Sequence, residues 1–448
     1  MNKVLVQTKV KDLNHFNEHF KKAIEPLESS YPEWLFNLKL RALEQFNDIG
    51  FPAQDDEDWR FTNISPIEKI HWKIATKQSV QNLPEDILKN VPFLNIKSNR
   101  LVFVNGFYIP ELSMITEELG FIGNLENFIK GDSDTLKKIY DESGLALNDA
   151  FCALNMALST DGALILIPPN IKLSKPVHIV HISLGSDSSI MSVPQHIISV
   201  GRHSNLILFE TYSNYSADTT FTNAFTRIIA NNGAVVEHIR CQAENQNSYN
   251  IATTQSCLGE SVQLSLFSIA LGGKISRHTI KSRLNGEGIE SVFGGIYMAS
   301  DSQLNDHYLV VEHIKPRCIS YEYFNGILSD KARGVFNGRI YVHPNAIKTD
   351  AKQTNKNLLL SDDAVINSKP QLEIYADDVK CTHGATVGRL DQNAIFYLRS
   401  RGININDARR MLIWAFASEI LDHINNQECR EKLEKIVADW LSSHFANI

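Results

Sequence analysis

Apolar residues recur along this chain in three textures. Near the start they fall every three or four positions, at Phe16, Phe20, Ile24 and Leu27 and then at Leu35, Leu38, Leu40 and Leu43. That spacing lines one face of a helix, and Gly50-Phe51-Pro52 stops it. The acidic run Asp55-Asp56-Glu57-Asp58 follows and reads as a solvated loop leading into Trp59-Arg60-Phe61-Thr62. From about 100 to 375 the texture shortens to β-rich runs: 101–104, 163–167, 176–180, 205–209, 234–238, 262–266 and 338–342. Gly and Asn punctuate them at Asn105-Gly106, Asn232-Gly233, Gly272-Gly273, Asn285-Gly286, Asn325-Gly326 and Asn337-Gly338. Short strands with turn signals between them mean an all-β unit, a sandwich, a barrel or a solenoid. The run is long for one sandwich, whereas a solenoid stacks any number of coils. No clean repeat length stands out in the sequence.

After about 391 helical spacing returns. Asn406 reads as an N-cap, followed by Ala408, Met411, Leu412, Ala415, Phe416, Ala417, Ile420, Leu421 and Ile424, with Ile413 and Trp414 on the other side. A helix apolar nearly all round between 411 and 417 buries one face in its own domain and another against something else, unless it is wholly internal. A last amphipathic segment runs from Gln427 to Phe445. The chain divides into a helical region 1–95, a β-rich core 96–390 and a helical region 391–448.

Composition narrows the classes. With 448 residues, two or three structural units are expected. Hydrophobic content of 43% and charged content of 21% are ordinary for a globular protein. The formal charge of −7 and the lack of a basic run argue against nucleic acid. No stretch of about 18 apolar residues exists to span a bilayer. The start, Met-Asn-Lys-Val-Leu-Val-Gln-Thr-Lys, lacks an apolar signal core, so a cytoplasmic location is expected. Six cysteines (152, 241, 257, 318, 381 and 429) are scattered with no C-x-x-C, which fits free thiols in a reducing compartment.

The segment 377–402 carries the most chemistry. Cys381 stands two residues before His383, and on an extended backbone i and i+2 project the same way. A thiolate beside an imidazole suits a thiophilic metal or iron–sulfur chemistry. The structural alternative stays open, because a lone Cys is commonly a small buried hydrophobe. Conventional catalytic motifs are absent. Gly273-Lys274 is preceded by Ser268 where a phosphate loop needs Gly and is followed by Ile275; G-x-G-x-x-G, G-x-S-x-G and H-E-x-x-H do not occur. Scattered polar residues remain: His307, His313, Cys318, His343, Cys381 and His383.

The blocks Phe336–Val342, Thr349–Gln353, Asn357–Ser361, Lys369–Glu373 and 377–402 together resemble the shared core of the SufB/SufD family of the SUF iron–sulfur cluster assembly system. Upstream, Gly50-Phe51-Pro52 with Trp59-Arg60-Phe61-Thr62 is similar to the N-terminal region of the SufD branch. Leu154-Asn155, Asp161-Gly162-Ala163 and Pro176 resemble the entry to the β-region. Gly384 after His383, where SufB typically has Glu, is also similar to SufD.

The resemblance implies a mainly β fold, a right-handed parallel β-helix between helical ends. It implies a non-enzymatic scaffold that pairs with SufB through the β-helix, with a homodimer possible when isolated. The ATPase SufC would bind the C-terminal helix at Met411, Leu412, Trp414, Ala415 and Phe416. Cys381 and His383 match the interface cysteine and histidine and would hold a transient cluster shared with SufB, none being held stably by this chain alone. Two ligands are fewer than the four or so that a cluster needs. Cys318 and His313 are expected to be structural. Cys152, Cys241, Cys257 and Cys429 are expected to be buried or incidental, and Asp377 and Asp378 to make turn hydrogen bonds. Two other classes compete: a β-solenoid enzyme acting on polysaccharide, and a Cys–His nucleophilic enzyme using Cys381.

Overall fold

The computed structural model describes residues 13–81, 83–89, 91–116, 119–142, 149–185, 189–424 and 426–444. The opening stretch read above for a signal core lies outside them, as does Phe445. The β-rich core is a parallel solenoid of two sheets. One sheet stacks, from its far end back, strands 365–374, 333–342, 304–313, 275–284, 249–258, 220–230, 195–200, 163–167 and 121–124. The other stacks 380–388, 350–359, 319–328, 290–299, 263–270, 235–243, 205–214, 177–183, 99–104 and 107–108. The chain alternates between sheets, so each strand hydrogen-bonds to the coil before and the coil after it.

A repeat does exist, carried by backbone conformation rather than residue type. Two positions before each strand of the second sheet from 205–214 onward the chain enters the left-handed region, at His203, Gly233, Ser261, Gly288, Arg317, Lys348 and Asp378, spaced 27 to 31 residues apart. Their amides form a ladder from coil to coil, as in Arg317 N–H to Ile347 O (2.9 Å) and Lys348 N–H to Asp378 O (2.9 Å). Five of these seven corners use a residue other than Gly, so glycine spacing hides the period. Two expected turns are in fact strand. Asn325-Gly326 lies inside Ile319–Leu328 and Asn337-Gly338 inside Arg333–Val342. Glycine is needed there for room: a Cβ on Gly326 would stand 2.3 Å from the Tyr297 ring, and one on Gly338 2.2 Å from Gln353 Nε2.

Each sheet's outer face is covered by helices. The helix Glu33–Ile49 ends at Gly50, whose φ of 65° combined with ψ of −177° suits only a residue without Cβ. Its deepest positions are Leu35, Phe36, Lys39, Ala42 and Phe46; of the expected leucines Leu35 is among them, and Leu38, Leu40 and Leu43 are partly buried beside the stripe. The charge in that stripe has partners, because Lys39 Nζ donates to the carbonyls of Met156 (3.1 Å) and Ser159. Burial lowers its pKa to about 7. Those carbonyls end the helix Ala150–Leu158, which Asp149 caps by accepting from Phe151 N and Cys152 N. This helix, with Leu125–Ile129 and Ser133–Glu142, interrupts the β-rich stretch. It packs with the N-terminal helices on Ile197, Phe221, Ile229, Tyr249 and Ile251 of the first sheet.

The second sheet's outer face is covered by the hairpin Ile405–Leu421 and Gln427–His444. Ile413, Ala417, Leu421, Leu433 and Val437 pack on Phe209, Ile239, Phe267, Ile296 and Ile327, and Trp440 Nε1 donates to Leu271 O (2.9 Å). The first helix of the hairpin is capped by Asn404 and not by Asn406: the Asn404 side chain accepts from Asp407 N, two residues earlier than expected.

The acidic run is exposed but is not free in solvent. Glu57 pairs with Lys369 (2.5 Å) and Asp58 with Arg339 (3.4 Å), both on solenoid strands. Beside it Trp59 is buried under the Arg277 guanidinium, 3.8 Å from its ring. Arg277 Nη1 meets Asp306 Oδ2 at 2.5 Å, and Thr62 Oγ1 donates to the same oxygen at 2.5 Å. Removing one partner of a buried pair leaves an uncompensated charge, at a cost of about 3–5 kcal/mol. Asp306→Ala should therefore lower the unfolding free energy measured by urea titration by an amount in that range. A loss under about 1 kcal/mol would mean that water or a rearranged side chain serves Arg277.

Candidate functional site

The two ends of the solenoid are built differently. At the starting end each sheet is finished by an antiparallel strand, Phe121–Asn124 on one and Phe107–Tyr108 on the other. At the far end the last strands are parallel, Val365–Ile374 and Lys380–Gly388, with no described strand beyond them. Strand 380–388 is exposed along its length except for half-buried Cys381. Val365, Ile374, Tyr375 and Val387 are exposed around this end.

Register places the expected pair. Cys381 pairs with Ala351 and His383 with Gln353, both buried residues of the preceding coil. Cys381 and His383 thus share the inward face of the last coil, and that face opens to solvent because no further coil covers it. Cys381 packs against the cluster of Ile340, Val342, Ala346 and Ala351. Burial and then the Asp350 carboxylate push its thiol above the usual pKa. Opposite charge or a helix N-terminus would lower it, so Cys381 lacks the environment of an activated nucleophile. Among the described residues, no three or more His, Cys, Asp or Glu side chains converge to hold a metal ion.

The structure keeps the other candidates apart from this pair. His313 is interior, 2.9 Å from Ser320 Oγ, and burial lowers its pKa to about 3. Cys318 is buried with its thiol 3.2 Å from Gly286 O. Cys241 on the second sheet and Cys429 on the second helix of the C-terminal hairpin are buried where the two pack, and burial raises Cys241 to about 12. Cys152 is buried in the helix Ala150–Leu158, and half-buried Cys257 accepts from Asn285 Nδ2 (2.9 Å). His307 contacts Ser268 (2.9 Å) inside the solenoid, while His343 is partly exposed, 3.9 Å from Glu312. Asp378 holds a left-handed corner and an ion pair with Lys348.

The five helix residues separate as well. Met411 is 49% exposed and Ala415 is exposed, Leu412 is half-buried, and Trp414 and Phe416 lean onto the sheet. Helix Gln392–Ser400 adds Phe396 and Tyr397, 75% and 57% exposed, which the hydrophobic pattern did not single out.

Two residues beneath the site were not predicted. Along the inward row Glu322 pairs with Gln353, and Gln353 with His383. Gln353 Nε2 donates to Glu322 Oε2. Burial raises the Glu322 pKa to about 8, so the carboxyl stays protonated at neutral pH. In Tyr321-Glu322-Tyr323 the charge looks outward by composition. The inward phase was legible only from Phe324, two residues on and fully buried in the solenoid core.

The sign of the resulting pH dependence is definite. Unfolded, a glutamate ionises near its ordinary value, ~4.3. Folded, Glu322 keeps its proton to about pH 8. Between these values the folded chain holds a proton that the unfolded chain has lost, so the Glu322 contribution weakens as pH rises and levels off above the folded value. Glu322→Gln should thus gain stability relative to the parent by on the order of 1 kcal/mol per pH unit across that window. Paired urea titrations at several pH values measure it, and parallel curves would rule it out.

Comparison with known proteins agrees with this architecture. Residues 182–416 match the family model described as SUF system FeS cluster assembly, SufBD core domain, and residues 10–179 match the SufBD protein N-terminal region. The chain is 34% identical to the iron–sulfur cluster assembly protein SufD of Escherichia coli, covering 87% of this chain and 89% of that protein. It is 32% identical to an iron–sulfur cluster assembly SufBD family protein of Synechocystis, covering 90% of each. It is 26% identical to SufD of Bacillus subtilis, over 91% and 94%. The chain belongs to the SufB/SufD family of iron–sulfur cluster assembly proteins.

Proposed function

We propose that this chain is a scaffold of the SUF system whose open solenoid end pairs with SufB, and that Cys381 and His383 contribute two ligands to a nascent cluster built between the two chains. The observation that carries this reading is the asymmetry of the solenoid: one end is closed by antiparallel strands, the other leaves two parallel edges and an inward Cys–His pair exposed. Unpaired strand edges are templates for another chain, and soluble proteins normally blunt or cover them. Pro370 withholds one N–H within Val365–Ile374, and Lys369 and Lys380 put charge on the two edge strands, so the blunting is partial. Two ligands from one chain leave room for two from another, and an incomplete set favours release of the cluster, which is cargo here. The same edges would support a homodimer when SufB is absent. The cytoplasm is the expected compartment, and no described helix is long and apolar enough to cross a membrane.

The ATPase SufC is assigned to the outward face of the Ile405–Leu421 helix. Met411 and Ala415 carry the assignment, with Leu412 at its margin; Trp414 and Phe416 serve chiefly to seat the helix on the sheet. Separate nucleotide chemistry agrees with the missing phosphate loop. The raised pKa of Cys381 weighs against the alternative of a Cys–His nucleophilic enzyme.

Co-expression with SufB and SufC and purification through a tag on this chain tests the assignment. His383→Ala should leave melting temperature and partner recovery near the parent values while lowering iron and sulfide in the complex. Unchanged iron and sulfide would remove His383 from the site. Met411→Asp combined with Ala415→Asp should release SufC while SufB is retained. These substitutions are preferred to deleting the helices, which would bare the apolar outer face of the second sheet. Retention of SufC by the double variant would place its contact elsewhere.

A further inference from the structure

We propose that Gln353 is a positioning residue for His383, its side-chain carbonyl accepting the imidazole N–H and directing the other ring nitrogen out of the open end toward the cluster. This rests on the assignment of His383 to the cluster site. Gln353 and His383 are register partners on adjacent parallel strands, about 4.8 Å apart by the ladder spacing. Gln353 is 1% exposed and points into the solenoid, as shown by its closeness to Gly338 on the opposite sheet. Its amide nitrogen is committed to Glu322. Its carbonyl oxygen Oε1 is buried and has no hydrogen-bond partner. A buried amide carbonyl without a donor is costly, and its neighbour on the open side is an imidazole.

Three features fix this oxygen in place. Glu322, one coil deeper and fully buried, anchors the amide from below. Gly338 leaves the space the amide occupies, since any Cβ there would collide with it. Pro370, the register partner of Gly338 in the last coil, brings no N–H that could compete for the oxygen. On the open side the register neighbour that can donate is His383 in the coil above, and the Glu322 carboxyl can donate from below while it holds its proton. A histidine ligand is normally held this way: one ring nitrogen donates to a carbonyl or carboxylate, which fixes the tautomer and raises the basicity of the other. No atom or electron is transferred; the amide only orients the ring.

The test uses Gln353→Met, which keeps length and volume without an acceptor, and Gln353→Glu, which restores one. In the isolated chain at pH 8, diethyl pyrocarbonate acylates the free ring nitrogen, and mass spectrometry reads the rate at His383 itself. Gln353→Met should slow that reaction several-fold by lowering the nitrogen's basicity, and Gln353→Glu should restore it. In the complex with SufB and SufC, Gln353→Met should weaken iron retention roughly tenfold, the lower end for loss of such a partner. Adding it to His383→Ala should cause no further loss. Should Gln353→Met fold poorly, Gly338→Ala displaces the amide without removing it and should also slow acylation. An unchanged acylation rate in the folded variants, or an additive loss of iron in the double variant, would overturn the proposal. If His383→Ala lowers iron while Gln353→Met does not, the positioning role alone falls. If His383→Ala changes nothing, the site assignment falls and takes the positioning role with it.

Discussion

The hydrogen-bond ladder between successive coils is the constraint on which the rest depends. In a parallel solenoid every strand satisfies its backbone through the coil before and the coil after, so the fold has no internal reason to stop. It has to be stopped by other means. At the starting end, antiparallel strands 107–108 and 121–124 do this. At the far end nothing comparable appears among the described residues, and the last rungs carry Cys381 and His383. Exposure of the site and exposure of the edge are therefore one physical fact. A residue on an inward face becomes reachable only where the stack ends.

The interior beneath that end is polar where a shorter-lived argument from composition would make it apolar. Leu, Ile, Val and Phe fill part of each early coil, as in Leu206, Leu208, Val236 and Leu264, and buried polar groups such as Glu210, His238 and Arg240 already lie beside them. Later coils place Glu322, Gln353 and Asn355 inside, each buried. Buried polar groups are tolerable when hydrogen-bonded and expensive when not. Glu322 meets this by staying protonated and by accepting from Gln353, and Asn355 by donating to Phe324 O (3.1 Å) and the Tyr297 hydroxyl (3.1 Å). Glu322 Oε1 and Gln353 Oε1 are left over, the latter one strand below the open face.

Helices do for the sheet faces what antiparallel strands do for the starting edge. The N-terminal helices cover one sheet and the C-terminal hairpin the other, so the coils are held from outside as well as by their ladders. The hairpin also joins the site to the surface assigned to the ATPase. Asn325 Nδ2 donates to Phe416 O at 3.0 Å, and Lys356 pairs with Glu419. Of the strands involved, 350–359 runs directly beneath strand 380–388 and 319–328 lies one rung further down. The helix is thus seated on the coils that lie under the last strand.

The sequence by itself determined the helical ends, the β-rich middle and the shared face of Cys381 and His383, because local periodicity and two-residue spacing are short-range properties. It also carried the family resemblance, through side-chain strings between Phe336 and Gly402. The coil repeat was invisible, because the corners are defined by left-handed backbone that His203, Ser261, Arg317, Lys348 and Asp378 adopt without any common residue type. Asn325-Gly326 and Asn337-Gly338 read as turns because glycine more often bends a chain than makes room for a neighbour in an adjacent coil. Which way Glu322 and Gln353 point, which of Met411, Trp414, Ala415 and Phe416 remain outside, and that His383 stands over a carbonyl lacking a donor all depend on register between segments about 30 residues apart. Register is set by the stacked ladder, so only the tertiary structure could decide it.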